Sequence, residues 1–325
     1  MLNSQQERHM IISASRRTDI PAFYSQWFMN RIAAGFVDSV NPFNRKQVTR
    51  IQLSPKDVDC IVFWTKDATP MLSHLAKLER LGYKYYFQFT VTPYGYDIEP
   101  GVHSKKEIIR AFQQLSKIIG KHRVVWRYDP IILTPKHTIA KHVADFTYLA
   151  EKLAPYTDTC IISFLDLYKK TELNTAKLHL QVLTVQAMQQ LASNISPIAR
   201  QHGLNIQSCS EEINLATYGI QHGACIDLKH VAMAMGCDIN LHKDNTQRSA
   251  CGCAKSIDIG QYNTCLHLCR YCYANFNTNM TKALYQQHDP TASVLTGHLL
   301  GDEKITDCRL KPVTRLAFNK QITLF

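Results

Sequence analysis

Residues 251–275 read CGCAKSIDIGQYNTCLHLCRYCYAN and carry five of the eleven cysteines of this 325-residue chain. Cys265, Cys269 and Cys272 stand in a C-x3-C-x2-C spacing, so three soft sulfur donors fall within eight residues. Thiols gathered in one loop can share a metal centre, and sulfur suits zinc or an iron-sulfur cluster. Zinc sites usually draw on paired C-x2-C or Cys/His arrangements, and this triplet lacks a matching pair. Three thiolates on a cubic cluster leave its fourth iron without a local cysteine, the kind of open position that reactive metal sites keep. His267, inside the loop, reads as a solvated side chain rather than a ligand.

Just upstream, residues 256–259 read as a short strand that runs into this loop, and working outward the chain supplies its companions. Apolar runs mark strands at 10–15, 36–40, 60–64, 85–91, 123–126, 160–164 and 204–208, with an extra alternating strand at 47–53. Helical spacing covers 21–34, 69–81, 104–119, 137–153 and 172–202. Alternation of strands and helices predicts a parallel α/β architecture, and eight principal strands predict a (β/α)8-type, TIM-like barrel, partial or irregular. Polar residues follow the strands: Arg16, Arg17 and Asp19, then Asn41, Lys66 and Asp67, Thr90, Arg127 and Asp129, Asp166 and Cys209. Barrels of this type carry their chemistry at the C-terminal ends of the strands. The barrel takes residues 1–275, with the cysteine region over 209–272, and 276–325 form an extension packed on it.

The string from Cys265 to Cys272, CLHLCRYC, resembles the cysteine loop of radical S-adenosylmethionine (SAM) enzymes, including the aromatic Tyr271 before the last cysteine. The resemblance implies a [4Fe-4S] cluster on Cys265, Cys269 and Cys272, with SAM bound at the open iron. It also implies reductive cleavage of SAM to a 5'-deoxyadenosyl radical, hydrogen abstraction from a substrate in the barrel mouth, and a flavodoxin- or ferredoxin-like electron donor. In that superfamily the loop follows the first barrel strand, whereas here it follows the last, which implies a circular permutation. The wider chain, from ISASRRTDIPAFY through NPFN and FWTKD to CGC, resembles a bacterial domain-of-unknown-function family with a C-terminal cysteine cluster. The chain departs from the superfamily in two places. The SRRTD segment lacks the Gly-Gly-Glu that meets the SAM amino group, and 85–91 lacks G-x-I-x-G-x-x-E. Tyr271 is a cofactor contact by motif position; Arg16 and Thr90 as cofactor contacts, and Arg17, Asp19, Lys66, Arg127 and Asp129 as catalytic residues, follow from their places at strand ends.

A second centre is expected from Cys251 and Cys253, which flank the pliant Gly252, together with Cys209 and Cys225. Four sulfurs fit an auxiliary 4Fe-4S cluster; Cys237 competes as fourth ligand, and zinc or no metal is the alternative. Cys60 and Cys160 lie in apolar strands and read as packed core thiols.

The net charge of +11 admits nucleic acid, an acidic partner or an anionic substrate, although the basic residues are spread along the chain. No run of about 18 apolar residues occurs, which argues against a membrane-spanning helix. The polar N-terminus lacks a secretory signal, so a cytoplasmic protein with reduced thiols is expected. The last five residues, Gln321, Ile322, Thr323, Leu324 and Phe325, resemble the Q-x-x-L-F peptide that binds the bacterial sliding clamp, which keeps DNA as a partner. The competing function is a non-catalytic iron-sulfur or zinc protein that senses redox state or binds nucleic acid.

Overall fold

Strands that the sequence writes as near-continuous apolar runs must be buried on both faces, as in a parallel sheet covered by helices. The computed structural model describes residues 10–166, 169–239, 243–244, 247–248, 250–308 and 315–316. In chain order its elements are β1 (Ile11–Ala14), α1 (Ile20–Phe23), α2 (Ser25–Ala34), β2 (Phe36–Asn41), β3 (Asn44–Gln52), β4 (Cys60–Thr65), α3 (Leu75–Arg80), β5 (Tyr85–Thr90) and α4 (Lys105–Ile119). There follow β6 (Val124–Ile131), α5 (Ile139–Leu153), β7 (Thr159–Phe164), α6 (Lys169–Thr175), α7 (Val185–Gln201), β8 (Asn205–Cys209), β9 (Gln221–Gly223) and α8 (Leu228–Met235). The chain then forms β10 (Asp238–Ile239), β11 (Ile257–Asp258), α9 (Thr278–Gln286), β12 (Lys304–Asp307) and β13 (Arg315–Leu316).

One eight-stranded sheet, in the order β11-β1-β4-β5-β6-β7-β8-β9, organises the molecule, and every neighbouring pair in it is parallel. Side chains alternate between its faces with a period of two. One set, including Ile12, Ile61, Phe63, Phe87 and Trp126, packs under the helices against Phe112, Phe146 and Leu191. The other, including Ile11, Val62, Tyr86, Val125 and Ile161, packs on the opposite face against Val231 of α8. Each fully buried side chain of this size contributes roughly 1.5–3 kcal/mol. The sheet wraps around this second face, since Gln88 of β5 donates to the carbonyl of Cys225, beyond β9, at 2.6 Å. β9 and β11 do not pair with each other among the described residues. The chain bridges the gap between them where Ala254 N donates to Ile226 O at 3.0 Å.

The expectations for 36–40 and 172–202 are corrected. β2 leaves the main sheet and forms a separate three-stranded sheet, antiparallel to β3, with β12 on the far side of β3. The eighth position belongs to β9, whose Gln-His-Gly sequence has no apolar signal. The long helix is interrupted after a 3₁₀ turn at Ala176–Leu178, where His179 takes φ 48°, and α7 restarts where the Thr184 hydroxyl caps Ala187 N. The extension after 276 packs on α2: Trp27 Nε1 donates to the carbonyls of Ala292 and Val294, both at 3.0 Å. Among the described residues no helix is long and apolar enough to cross a membrane. The pentapeptide 321–325 lies outside the described residues.

Candidate functional site

The C-terminal ends of the parallel strands open on a cavity of about 500 Å³. Of the residues singled out from the sequence, Arg16, Arg17, Lys66, Thr90, Arg127, Asp129, Asp166, Tyr271, Cys272, Cys209, Cys225, Cys251 and Cys253 line it. Asp19, Cys265 and Cys269 do not. Ser163, Glu211 and Asp258 also reach the cavity, and none of these was singled out.

The loop of Cys265, Cys269 and Cys272 is held down from several sides. Gly101 N donates to His267 O at 2.9 Å, and a Cβ on Gly101 would lie only 2.0 Å from Leu266 O, so glycine is required there for close approach. Asn263 Oδ1 accepts from Phe276 N at 3.0 Å, and Asn275 donates to the carbonyl of Cys265. His267 is buried, not solvated: its Nε2 meets Asp19 Oδ2 at 2.8 Å and its Nδ1 meets Gly101 O at 3.2 Å. Burial pushes all three thiols above the usual cysteine range; Asp19, Cys269 and Cys272 add to this at Cys265, while Lys66 opposes it at Cys269.

Asp19 is a clamp. Its Oδ1 caps α1 by accepting from Ala22 N at 2.9 Å, and its Oδ2 accepts from Lys66 N at 2.7 Å and Thr65 Oγ1 at 3.1 Å as well as facing His267. The carboxylate therefore ties the end of β4 to the cysteine loop.

Beside it lies a node built on Glu99. Its side chain is 1% exposed and sits between Lys66 Nζ and Lys105 Nζ, each at 2.8 Å. Thr92 Oγ1 and Tyr271 OH also donate to it, at 2.7 and 2.6 Å. Burial opposes ionisation, but the two ammonium groups prevail and hold the carboxyl well below its usual range. Burial, then the charges of Cys269 and Glu99, push the Tyr271 hydroxyl far up, so it remains a donor.

Asp258, on β11, organises the opposite rim. Oδ2 accepts from Ser13 Oγ at 2.9 Å and Arg16 N at 2.8 Å; Oδ1 accepts from Ser15 Oγ at 2.6 Å and Gly260 N at 2.9 Å. These bonds shape the turn that carries Arg16 and Arg17 to the cavity. The Arg17 guanidinium lies over the Tyr262 ring at 5.0 Å and has no carboxylate partner among the described residues.

The expected second set of cysteines comes together. Cys209 Sγ and Cys225 Sγ are 2.7 Å apart, and Cys251 and Cys253 pack in the same cluster, where Ile226 N donates to Cys253 Sγ at 3.5 Å. Arg127 Nη1 donates to Cys225 Sγ at 3.1 Å, while its Nε and Nη2 donate to Asp129 Oδ2 at 2.9 and 2.6 Å. Ser163 donates to the other oxygen of Asp129. The neighbouring thiols of Cys209 and Cys253, working against burial and assisted by Arg127, pull the Cys225 thiol well below the usual range, and Cys253 likewise draws the Cys251 thiol down to about 6. Among the described residues no group of three or more His, Cys, Asp and Glu side chains is posed to hold a metal ion. Cys60 and Cys160 are fully buried in strands, and burial raises both thiols. Glu211 Oε1 accepts from Phe164 N at 2.8 Å, and burial, then Asp166 and Asp129, push its carboxyl up to about 7.

Asp258 and Glu211 were missed because their value comes from partners far away in sequence, and Glu99 because two of its four partners, Lys66 and Tyr271, are likewise far along the chain. A local signal did exist for Glu99, which with Asp97 is one of two acidic residues set among the aromatic and apolar residues of the loop YGYDIEP.

Comparison with known proteins adds little beyond the family. No curated protein matches the chain. A solved structure described as a putative alpha-L-fucosidase from Bacteroides thetaiotaomicron is similar over 72% of this chain and 86% of that one, at 11% identity. Its TM-score of 0.23 is too low to carry an argument about fold or activity. Residues 11–274 match the family model for a domain of unknown function, DUF1848. That span holds the whole parallel sheet and both cysteine sets, and the chain belongs to the DUF1848 family.

Proposed function

We propose that the chain is a radical-SAM-like iron-sulfur enzyme, and that its wrapped parallel sheet is a partial barrel circularly permuted relative to that superfamily. The observation that carries the reading is the path of the cysteine loop. It leaves the edge strand β11 and enters the mouth of the sheet, where Tyr271 and Cys272 line the same cavity as the four-cysteine set.

The donor set fits a cluster. Within the loop only the three sulfurs are free to ligate, because both ring nitrogens of His267 are engaged. Soft thiolates are the donors that iron-sulfur clusters take, and each iron of a cubic cluster takes its own. Cys265, Cys269 and Cys272 would hold the first cluster, and Cys209, Cys225, Cys251 and Cys253 an auxiliary one. Loaded with SAM and reduced by a flavodoxin- or ferredoxin-like donor, the first would supply one electron for cleavage of SAM to methionine and a 5'-deoxyadenosyl radical, the species that would abstract hydrogen.

The chain's own residues provide the setting. Lys66, fixed by Glu99 and lying 5.8 Å from the Tyr271 ring centre, puts positive charge beside the cysteine loop and offsets part of the thiolate charge. Tyr271, held by its bond to Glu99, forms a fixed wall for the cofactor, with Arg16 and Thr90 as further contacts. Arg17 is the cation available to an anionic substrate group, since Arg127 is already engaged by Asp129 and Cys225. Asp129 keeps Arg127 oriented and holds the Ser163 hydroxyl proton. Trp64, Phe164 and Leu165 supply apolar wall that excludes water from a radical reaction.

The test is anaerobic. The full chain is reconstituted with iron and sulfide, reduced, and given SAM, and 5'-deoxyadenosine is measured by chromatography. Formation of 5'-deoxyadenosine, lost in Cys272→Ala, is expected. A 4Fe-4S signal with no 5'-deoxyadenosine would refute the enzyme reading and leave a non-catalytic iron-sulfur protein.

A further inference from the structure

Four loops outside the mouth cavity enclose a second pocket of about 290 Å³. Asp97 and Ile98 come from the loop after β5, Thr134 to His137 from the loop after β6, Lys177 to His179 from the turn after α6, and Arg270 from the cysteine loop. A small apolar cluster of Tyr94, Ile98 and Ile132, with Leu178 and Tyr271 packed on it, lies between this pocket and the mouth cavity.

The polar groups facing this pocket are almost all donors. Asp97, its one carboxylate, is matched by Lys136 Nζ at 3.4 Å. Arg270 uses Nε to donate to the Asp97 backbone carbonyl at 2.6 Å, and neither Arg270 nor Lys177 forms an ion pair with a carboxylate among the described residues.

His137 supplies the most specific clue. It is 9% exposed, and its Nδ1 lies 3.0 Å from Thr134 Oγ1. That hydroxyl oxygen already accepts the backbone N–H groups of Lys136 at 3.2 Å and His137 at 3.0 Å. With its lone pairs engaged, the hydroxyl donates its hydrogen to Nδ1, so the ring proton is on Nε2. Nε2 has no partner among the described residues, and the ring lines the pocket. Tyr94 packs edge-on against the ring with centroids 5.1 Å apart and fixes its plane. Burial, above all, lowers the basicity of His137, in keeping with a neutral ring at pH 7.

We propose that this pocket binds a small phosphate-bearing anion, with phosphoryl oxygens accepting from His137 Nε2, the Arg270 guanidinium and the Lys136 and Lys177 ammonium groups. A concave pocket that offers hydrogens and positive charge suits a tetrahedral oxyanion, which accepts at every oxygen. The volume exceeds that of a bare phosphate and leaves space for a short ester or a second phosphoryl group. Because Arg270 lies between Cys269 and Cys272, an anion bound there also braces the cysteine loop from outside.

The full chain is titrated calorimetrically with inorganic pyrophosphate, and separately with inorganic phosphate, at constant ionic strength. One saturable site per chain is expected. Lys177→Gln, an exposed substitution that leaves the core intact, should weaken it at least several-fold, and Lys177→Gln with Arg270→Gln at least ten-fold. Arg17→Gln, in the mouth cavity, should leave it unchanged. Absence of saturable heat overturns the assignment, as do several equal sites that added sodium chloride abolishes. So does loss of binding in Arg17→Gln but not in the double variant, because it moves the site to the mouth cavity. A single-stranded oligonucleotide that displaces pyrophosphate at lower concentration would assign the pocket to nucleic acid and overturn the small-ligand proposal.

Discussion

Replacing Glu99 by Gln removes one buried negative charge from between two lysines and leaves the packing almost unchanged. Glu99 is 1% exposed and Lys66 13% exposed, so in the variant the Lys66 ammonium stays largely buried without its carboxylate. Removing one partner of a buried ion pair costs about 3–5 kcal/mol. Gln retains an acceptor oxygen for Thr92 and Tyr271, and Lys105, 27% exposed, can turn to water. A loss of about 2–3 kcal/mol at pH 7 is therefore expected. The pH dependence gives a second, independent reading. The folded-state pKa of Glu99 is depressed, so its stabilisation is present above the unfolded carboxyl value and is lost as pH falls through and below it. With an unfolded value of about 4.3 and roughly 1.4 kcal/mol per pH unit, the gap between wild type and variant should narrow by about 1 kcal/mol from pH 7 to pH ~3.5. Urea unfolding at the two pH values, compared through midpoints at constant m-value, measures both quantities. Equal midpoints at pH 7, or a gap that does not change with pH, would refute the node as described.

Two further outcomes follow from the same geometry. Gly101→Ala places a Cβ 2.0 Å from Leu266 O, so the cysteine loop must shift; a loss of about 1–3 kcal/mol and reduced iron content after reconstitution are expected, and an unchanged melting temperature with full iron content would contradict the close approach. Glu211 is raised to about 7, so the folded state holds its proton more tightly than the unfolded state and wild type loses stability as pH rises from the ordinary carboxyl range through 7. Glu211→Gln should remove that slope and, after allowance for partial exposure, gain about 1–2 kcal/mol over wild type at pH 8; parallel wild-type and variant curves from pH 5 to 8 would count against it.

Much of the parallel sheet was legible because β1, β4, β5, β7 and the first part of β6 are short apolar runs, and burial on both faces leaves that mark in any sequence. The count of eight strands agreed for a partly mistaken reason. β2 was placed in the sheet that β9 in fact completes, because strand membership depends on backbone pairing, and Gln221–Gly223 pairs with β8 through groups that every residue carries. Asp19 shows the same limit at the site: its position after a strand suggested catalysis, but Thr65, Lys66 and His267 converge on it and make it a clamp.

By itself the sequence determined the alternating α/β plan and the triplet of Cys265, Cys269 and Cys272, because hydrophobic period and thiol spacing are local properties of the chain; it suggested the grouping of Cys209 and Cys225 with Cys251 and Cys253 but left Cys237 in competition, and folding brings the four together. Only the tertiary structure decided that Glu99 is locked between Lys66 and Lys105, that Asp258 shapes the Arg16–Arg17 turn from the other end of the chain, and that His267 is an anchor. Those roles arise from charge, burial and hydrogen bonding between groups brought together by folding, and such energies depend on distance in space, whatever the separation along the chain.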